Sequence, residues 1–266
     1  MHVEVRPPKN IFPRTEHTIT ERASFLVDGW TVHEFASLPS TNPVAGALPA
    51  WHAVRADVQT GGRGRTGRAW ISDAGGLWLS ATLPAPGPRK KWSILPLGAG
   101  LAVIEALCGV DIKGLRLRWP NDILAGRRKL AGLLVEQYQP ETVVIGVGIN
   151  IANHPEAVES SLTGHTIDVN ALAPRPVSLH EIVQLTLGAF RRLQTIVEQD
   201  RFNEIVADIN TRWGEARRVQ LTLNSQPEPL NGYFCGVDPE GRLSFTDDLG
   251  TALTLEASQV ALLKEM

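Results

Sequence analysis

One stretch, Gln59 to Trp70, limits the folds open to this chain more than any other. It reads Gln-Thr-Gly-Gly-Arg-Gly-Arg-Thr-Gly-Arg-Ala-Trp, so glycine and other small residues are interleaved with arginines in a single loop. Glycine lets a backbone pass through positive φ and approach a ligand closely, and guanidinium groups offer fixed forks of donors to carboxylate and phosphate oxygens. The loop reads as an anion-handling site with an apolar lid at Trp70. Within it, Gly62-x-Gly64-x-x-Gly67 spells the dinucleotide-binding fingerprint, but that spelling needs a helix directly after it. The next residues, Arg68 to Gly76, have no apolar period of 3.6 and carry a Gly75-Gly76 pair where the helix should run. A nicotinamide-binding doubly wound fold is excluded. A Walker loop is excluded too, because the chain has no Gly-Lys-Ser/Thr at the required spacing.

A disordered Arg-Gly tract that binds nucleic acid would repeat its element within a basic chain, whereas this chain has a formal net charge of −2 over 266 residues. The same balance argues against general nucleic-acid or membrane-surface binding. With 43% hydrophobic and 20% charged residues, the chain is that of a soluble globular protein with one large domain and a small one. The apolar run from Leu95 to Leu107 is broken by Pro96, Gly98, Gly100 and Glu105, so it does not span a bilayer. The first nine residues lack the apolar core of a secretory signal. Cys108 and Cys235 stand alone without a CxxC, which predicts reduced, buried thiols in a cytoplasm and no structural zinc.

Along the chain, residues 1–28 read as an irregular, proline-bearing arm. Trp51 to Val58 alternates as a strand with Val54, Ala56 and Val58 inward, and it delivers the chain into the glycine loop. Leu77, Leu79, Ala81 and Leu83 alternate as the next strand, and Leu97, Leu101, Ile104 and Leu107 recur at helical spacing over about Ser93 to Val110. Leu115 to Trp119 is a short strand ending at Pro120. Ile123-Leu124, a turn at 125–128 and Lys129 to Glu136 form a strand and its return, and Thr142 to Ile151 is a buried central strand. Residues 153–177 are a long loop. Ser178 with Glu181 makes a capping box for a helix, and a second helix covers about Arg201 to Trp213 with Asp200 as its cap. After Gly214 come short strands and turns of an SH3-like β-barrel. The expected division is an arm at 1–28, a catalytic domain at 29–213 and a small barrel at 214–266.

Several constellations in the large domain carry chemistry. Ser40-Thr41-Asn42 before Pro43 is a helix cap by default, and such a cap can also present hydroxyls and amides to a ligand. Gln59 at a strand end is by default a solvated polar residue, and at the mouth of the glycine loop it can also serve as an amide-recognising group. Asn121-Asp122 after Trp119-Pro120 reads equally as an Asx-type turn or as a carboxylate for Mg²⁺ beside phosphates. Lys129 begins a strand that turns inward, so it can meet an anion, and Asn150 either ends its strand or faces the same crevice. Trp70 between arginines and glycines suits an adenine-stacking lid. No histidine cluster, Gly-x-Ser-x-Gly elbow or Cys/His pair offers a covalent nucleophile. Catalysis by positioning and charge neutralisation remains, which suits nucleotidyl transfer.

These residues resemble the biotin protein ligase family, also called biotin–[acetyl-CoA-carboxylase] ligase. The resemblance runs in order: Ser-Thr-Asn at 40–42, Gln59 before Gly-Arg-Gly-Arg-x-Gly-Arg-x-Trp at 62–70, Trp-Pro-Asn-Asp at 119–122, Lys-Leu-Ala-Gly at 129–132 and Gly-Val-Gly-Ile-Asn at 146–150. It implies an α+β fold: a mixed β-sheet with helices on one side, of the class II synthetase and biotin ligase kind, then an SH3-like domain. It implies that biotin and MgATP give biotinyl-5′-AMP, which a lysine of a biotin carboxyl carrier domain then attacks. Ser40, Thr41, Asn42, Gln59, Gly62, Arg63, Gly64, Arg65, Lys129 and Gly132 would surround biotin and its activated carboxyl, with Lys129, Arg63 and Arg65 catalytic. Trp70 would face the adenine, Asn121 and Asp122 the phosphates and, for Asp122, the metal, and Asn150 the nucleotide side. A lipoate ligase or octanoyl transferase is the related alternative, and a nucleic-acid-binding protein the unrelated one. Only 39 residues precede Ser40, too few for the DNA-binding module of about 60 residues found in many members, so a monofunctional ligase without DNA binding, monomer or homodimer, is expected.

Overall fold

The computed structural model describes residues 20–85 and 93–266. The chain runs β1 (Glu21–Val27), β2 (Trp30–Leu38), α1 (Thr41–Ala45), β3 (His52–Gln59), β4 (Gly76–Pro84), α2 (Leu95–Cys108), β5 (Leu115–Arg118), β6 (Asp122–Ala125), β7 (Arg128–Gln139), β8 (Thr142–Asn150), α3 (Pro155–Val158), α4 (Leu179–Glu198) and α5 (Phe202–Trp213). Then come β9 (Arg217–Leu223), β10 (Leu230–Val237), β11 (Leu243–Asp247), β12 (Ala252–Leu255) and β13 (Val260–Glu265). The first eight strands make one sheet in the order β1-β2-β3-β4-β8-β7-β6-β5, and the last five a second sheet in the order β12-β11-β10-β9-β13. This is the mixed sheet and small β-domain expected from the sequence.

Alternation along the central strands divides the large sheet into two unlike faces. Leu77, Leu79 and Ala81 on β4, Ala131 and Leu133 on β7, and Val143, Ile145, Val147 and Ile149 on β8 all join the core under α2 and α4. The intervening residues are Trp78, Ser80 and Thr82 on β4, Gly132, Leu134 and Glu136 on β7, and Val144, Gly146 and Gly148 on β8. They form an opposite face in which Ser80, Thr82, Glu136 and the glycines stand between Trp78, Leu134 and Val144, and it is partly covered by α1, whose Val44 and Ala45 pack on Val54, Ala56 and Val144.

The pairing of β2 with β3 is parallel, with Leu38 beside Gln59. A parallel connection needs a crossover, and residues 39–51 supply it with α1. Both strands therefore end at the same edge, so the segment after Leu38 and the loop after Gln59 emerge side by side. Gly76 pairs with Asn150, Ala131 with Ile149 and Asp122 with Gly132, which brings the starts of β4, β6 and β7 and the end of β8 to that same edge.

Five local expectations change. Cys108 and Cys235, expected to be buried, are both exposed. Residues 21–27 are a strand: Asp28 (φ 48°) and Gly29 (φ 76°) make a two-residue hairpin loop that folds β1 onto β2, and Phe25 and Val27 pack on the core. The rest of the expected arm, residues 1–19, lies outside the described residues. Thr41 and Asn42 open α1, so Pro43 stands in its third position, and the Ser40 side chain makes no capping bond. Ser178 does accept the Glu181 N–H, but the Glu181 carboxylate holds Arg175 at 2.6 Å, so only half of the capping box exists. The residue at the start of α5 is Arg201, because Asp200 is turned into the left-handed region at φ 56°.

Candidate active site

The shared edge opens onto the opposite face of the sheet, and a crevice lies there. Ser40, Thr41, Asn42, Gln59, the loop from Arg63 to Trp70, Arg118 to Asp122, Lys129 and Gly132 line it. The second domain supplies another wall, Val260 to Leu263 of β13. Trp119 Nε1 donates to the Gly241 carbonyl at 3.1 Å, and Arg116 makes a paired contact with Glu265 at 2.8 and 3.0 Å, so the two sheets are joined beside the site.

The glycine-arginine loop is a tight hairpin. Gln59 bridges Ser72, Arg63 bridges Ala69, and the Trp70 N–H returns to the Gly62 carbonyl at 2.9 Å. A single 3-10 turn at Arg65–Gly67 is its only helical piece, which is why the dinucleotide spelling has no phosphate-binding helix behind it. Gly62 is needed for packing: a Cβ there would stand 2.4 Å from both the Trp70 carbonyl and Ser72 Oγ. The Gly64 N–H is spent on the Arg68 carbonyl at 2.7 Å. Trp70 lies on the sheet, where Cβ atoms on Gly148 and Gly132 would approach its ring to 2.5 and 3.0 Å. Those two glycines exist to seat a flat ring on the floor. Trp70 Nε1 is buried there without a protein acceptor.

Three charges converge opposite the loop. Asp122 pairs across the β5–β6 turn with Arg118 at 2.6 Å and with Lys129 Nζ at 2.7 Å. Burial alone would raise the Asp122 pKa, but Lys129 and then Arg118 outweigh it and hold the carboxyl below its ordinary range. Lys129 Nζ also sits 4.7 Å from the centre of the Trp70 ring. Arg65 reaches the second domain, donating to the Ala257 carbonyl. Burial draws its pKa down, Asp122 opposes this and Arg68 adds to it. The triad carries a formal charge of +1, and Arg65 raises it further, in a crevice whose floor is glycine.

On the other side, the Gln59 amide oxygen accepts the Thr41 backbone N–H at 2.9 Å, and its Nε2 donates to Ser72 Oγ at 2.9 Å. Thr41 Oγ1 touches buried Ser80 Oγ at 2.7 Å, Ser80 donates to Asn42 Oδ1 at 2.5 Å, and Asn42 Nδ2 donates to Glu136 at 2.8 Å. Glu136 Oε2 also receives Tyr138 OH at 2.8 Å and Arg63 at 3.3 Å. Burial, then the Glu136 carboxylate, raises the Tyr138 pKa, so the phenol stays protonated and donating.

Of the residues expected at the site, Ser40, Thr41, Asn42, Gln59, Arg63, Gly64, Arg65, Trp70, Asn121, Asp122, Lys129 and Gly132 line the crevice, whereas Gly62 and Asn150 do not. The side chains of four are engaged by neighbouring protein groups. Arg63 turns to the rim, where Glu136 and Tyr138 hold it. Asn121 donates to the Leu133 carbonyl at 2.6 Å, which ties the turn to β7. Buried Asn150 bonds the Ile167 carbonyl and Asn153, and so clips the 150–167 loop beside the backbone of Lys129. Asp122 does not fit a metal ligand: each of its oxygens is in an ion pair, and a dication would approach against two cations. Among the described residues, no three His, Cys, Asp or Glu gather to hold a metal. Sequence reasoning missed Ser80, Glu136, Tyr138 and Gly148, and the signal was the period-two alternation of β4, β7 and β8, read only for its apolar half.

The fold and this crevice define a class: an anion-handling catalytic domain on a mixed sheet, walled by a small β-domain. Residues 46–150 match the model of the biotin/lipoate A/B protein ligase family. The biotin–[acetyl-CoA-carboxylase] ligase of Mycobacterium tuberculosis is 42% identical over 219 residues, spanning 79% of this chain and 78% of that protein. The chain therefore belongs to the biotin protein ligase family. The bifunctional ligase/repressor of Bacillus subtilis is 31% identical over 224 residues, and the chain covers 64% of its length. Among solved structures, the Aquifex aeolicus biotin protein ligase in complex with biotin and ATP superposes with a TM-score of 0.76, covering 88% of this chain and 99% of that one at 24% identity.

Proposed function

We propose that this protein activates biotin with ATP and transfers it to a lysine of the biotin carboxyl carrier domain of acetyl-CoA carboxylase. The observation that carries this reading is the convergence of Arg65, Arg118 and Lys129 on one glycine-floored crevice, opposite the Thr41–Gln59 pair. In the first step a biotin carboxylate oxygen attacks the α-phosphorus of ATP, the bond to the β-phosphate oxygen breaks, and pyrophosphate leaves. In the second, a carrier lysine amine attacks the acyl carbon, an amide forms, AMP leaves with the bonding pair, and the amine gives up a proton.

Both steps pass through extra negative charge on oxygen. Fixed cations in a water-poor crevice stabilise such charge without reorganising. Lys129 and Arg118, braced by Asp122, serve the phosphate and carboxyl, Arg65 covers them from the loop, and Trp70 faces the base. Mg²⁺, where it takes part, arrives with the nucleotide phosphates rather than in a protein cage. The relatives named as acetyl-CoA-carboxylase ligases support the acceptor assignment. The polar pair of Thr41 and Gln59 favours a ureido head over the dithiolane of lipoate. Incubation with MgATP and either biotin or lipoate, followed by mass analysis, tests the reading: biotinyl-5′-AMP with biotin is the expected product, and lipoyl-AMP alone would replace it with the lipoate alternative.

A further inference from the structure

We propose that Glu136, which lies outside the crevice wall, is a specificity-determining positioning residue: it fixes the direction of a proton chain that leaves the Thr41 hydroxyl an acceptor for a ligand N–H. This rests on the biotin-ligase reading and adds to it the cause of head-group selection.

The few hydrogens available fix the direction of the chain. Asn42 has an acceptor end and a donor end, and their orientation is not free. One end meets the Glu136 carboxylate at 2.8 Å and the Leu134 carbonyl at 3.3 Å, both acceptors, so that end is the NH₂. The other end, Oδ1, then faces Ser80 Oγ at 2.5 Å and must receive its hydrogen. Ser80 has no second hydrogen, so its 2.7 Å contact with Thr41 is made by the Thr41 hydrogen. Gln59 Oε1, which accepts the Thr41 backbone N–H at 2.9 Å, is also within reach of the Thr41 hydroxyl hydrogen, but at the longer 3.1 Å. The shorter contacts take the two available hydrogens. Every donor in the series Thr41, Ser80, Asn42 points towards Glu136, and Thr41 Oγ1, on the crevice wall, keeps its lone pairs for the ligand. Ser80 is fully buried and Asn42 nearly so, so no solvent competes for these bonds. A cyclic urea presents N–H donors to such an oxygen, whereas a dithiolane or plain acyl chain has none.

Glu136→Met removes the terminal acceptor and frees Asn42 to turn over. Its biotin affinity should fall at least tenfold by calorimetry, while lipoate affinity, measured by the same titration, stays within twofold. Glu136→Gln keeps an oxygen in place and should hold biotin affinity within about threefold, and Tyr138→Phe should leave the biotin-to-lipoate ratio unchanged. Ser80→Ala cuts the chain at its middle and should reproduce the loss even if Glu136→Met fails to fold, as judged by thermal melting. Equal loss of both ligands, or an unchanged ratio in Glu136→Met and Ser80→Ala, overturns the inference while leaving the ligase reading intact. Wild-type protein that binds lipoate and not biotin overturns both.

Discussion

Removing the Lys129 ammonium should separate anion handling from simple bracing. The Arg118–Asp122–Lys129 triad carries a formal charge of +1, and Lys129→Ala takes it to zero. A unit negative charge about 4 Å from an ammonium is worth about 4 kcal/mol at an effective dielectric near 20. Water and the neighbouring arginines will recover part of that, leaving about 2–4 kcal/mol, or about 30- to 1000-fold in rate. The folding cost is smaller, about 1 kcal/mol, because Lys129 and Asp122 retain 28% and 16% exposure. The assay is single-turnover formation of biotinyl-5′-AMP with saturating biotin, alongside thermal melting. Asp122→Asn is the companion variant, since it breaks the same ion pair but leaves Lys129 charged. If Lys129 acts on the anion, Asp122→Asn should lose about tenfold or less, and the double variant should be close to Lys129→Ala. If Lys129 only braces the β6–β7 corner, the two single variants should match. That match, or adenylate formation by Lys129→Ala within threefold of wild type, would refute the reasoning.

Three further outcomes are set by the geometry. Gly148→Ala places a Cβ 2.5 Å from Trp70 Nε1, so the ring must leave the floor; the KM for ATP should rise at least tenfold with biotin affinity nearly unchanged, and an unaltered KM would contradict a base-facing role. Arg65→Gly loses both its charge and its bond to the Ala257 carbonyl, so preformed adenylate should escape faster in a gel-filtration retention assay; unchanged release would remove the arginine from the lid. Burial, then neighbouring His33, lowers the His52 pKa below 6.5, so its contribution to stability is complete above that value and is lost as pH falls through the folded pKa. Urea titrations between pH 7.5 and 5.5 should show stability falling in wild type and falling less in His52→Gln, and equal slopes would discard this assignment.

How much of the molecule is legible in its sequence depends on the range over which each signal acts. The hydrophobic half of the strand alternation exposes the core face, because burial of Leu77, Leu79 and Ala81 is repeated at every second residue. The same alternation carries Ser80, Glu136 and Gly148 on the other face, but polar and glycine positions read as gaps unless a ligand face is already in mind. Asp28-Gly29 is a short-range hairpin signal in plain view, and the prolines before it point to an arm instead. Asn150 and Asn121 are ambiguous for a different reason. An asparagine at a strand end can face a ligand or close a backbone gap, and only the neighbouring loop decides. For Asn150 that loop comes back at Ile167, and for Asn121 the partner is Leu133.

Arg63 shows how such an ambiguity bears on mechanism. Sequence alone groups Arg63 and Arg65 as one cationic pair, since both sit between glycines in the same loop. The hairpin turns them apart: Arg63 is bound at the rim by Glu136 and Tyr138, whereas Arg65 spans to the second domain and lies near Asp122. Two arginines two residues apart therefore have different work. Arg63 is tied to the carboxylate proposed to order the Thr41 side of the crevice, and Arg65 to the charges proposed to meet phosphate. Neutralising Arg63 should then disturb biotin affinity more than adenylate retention, the reverse of Arg65→Gly. Biotin titration and the retention assay on Arg63→Gln would expose the error if the two arginines prove interchangeable.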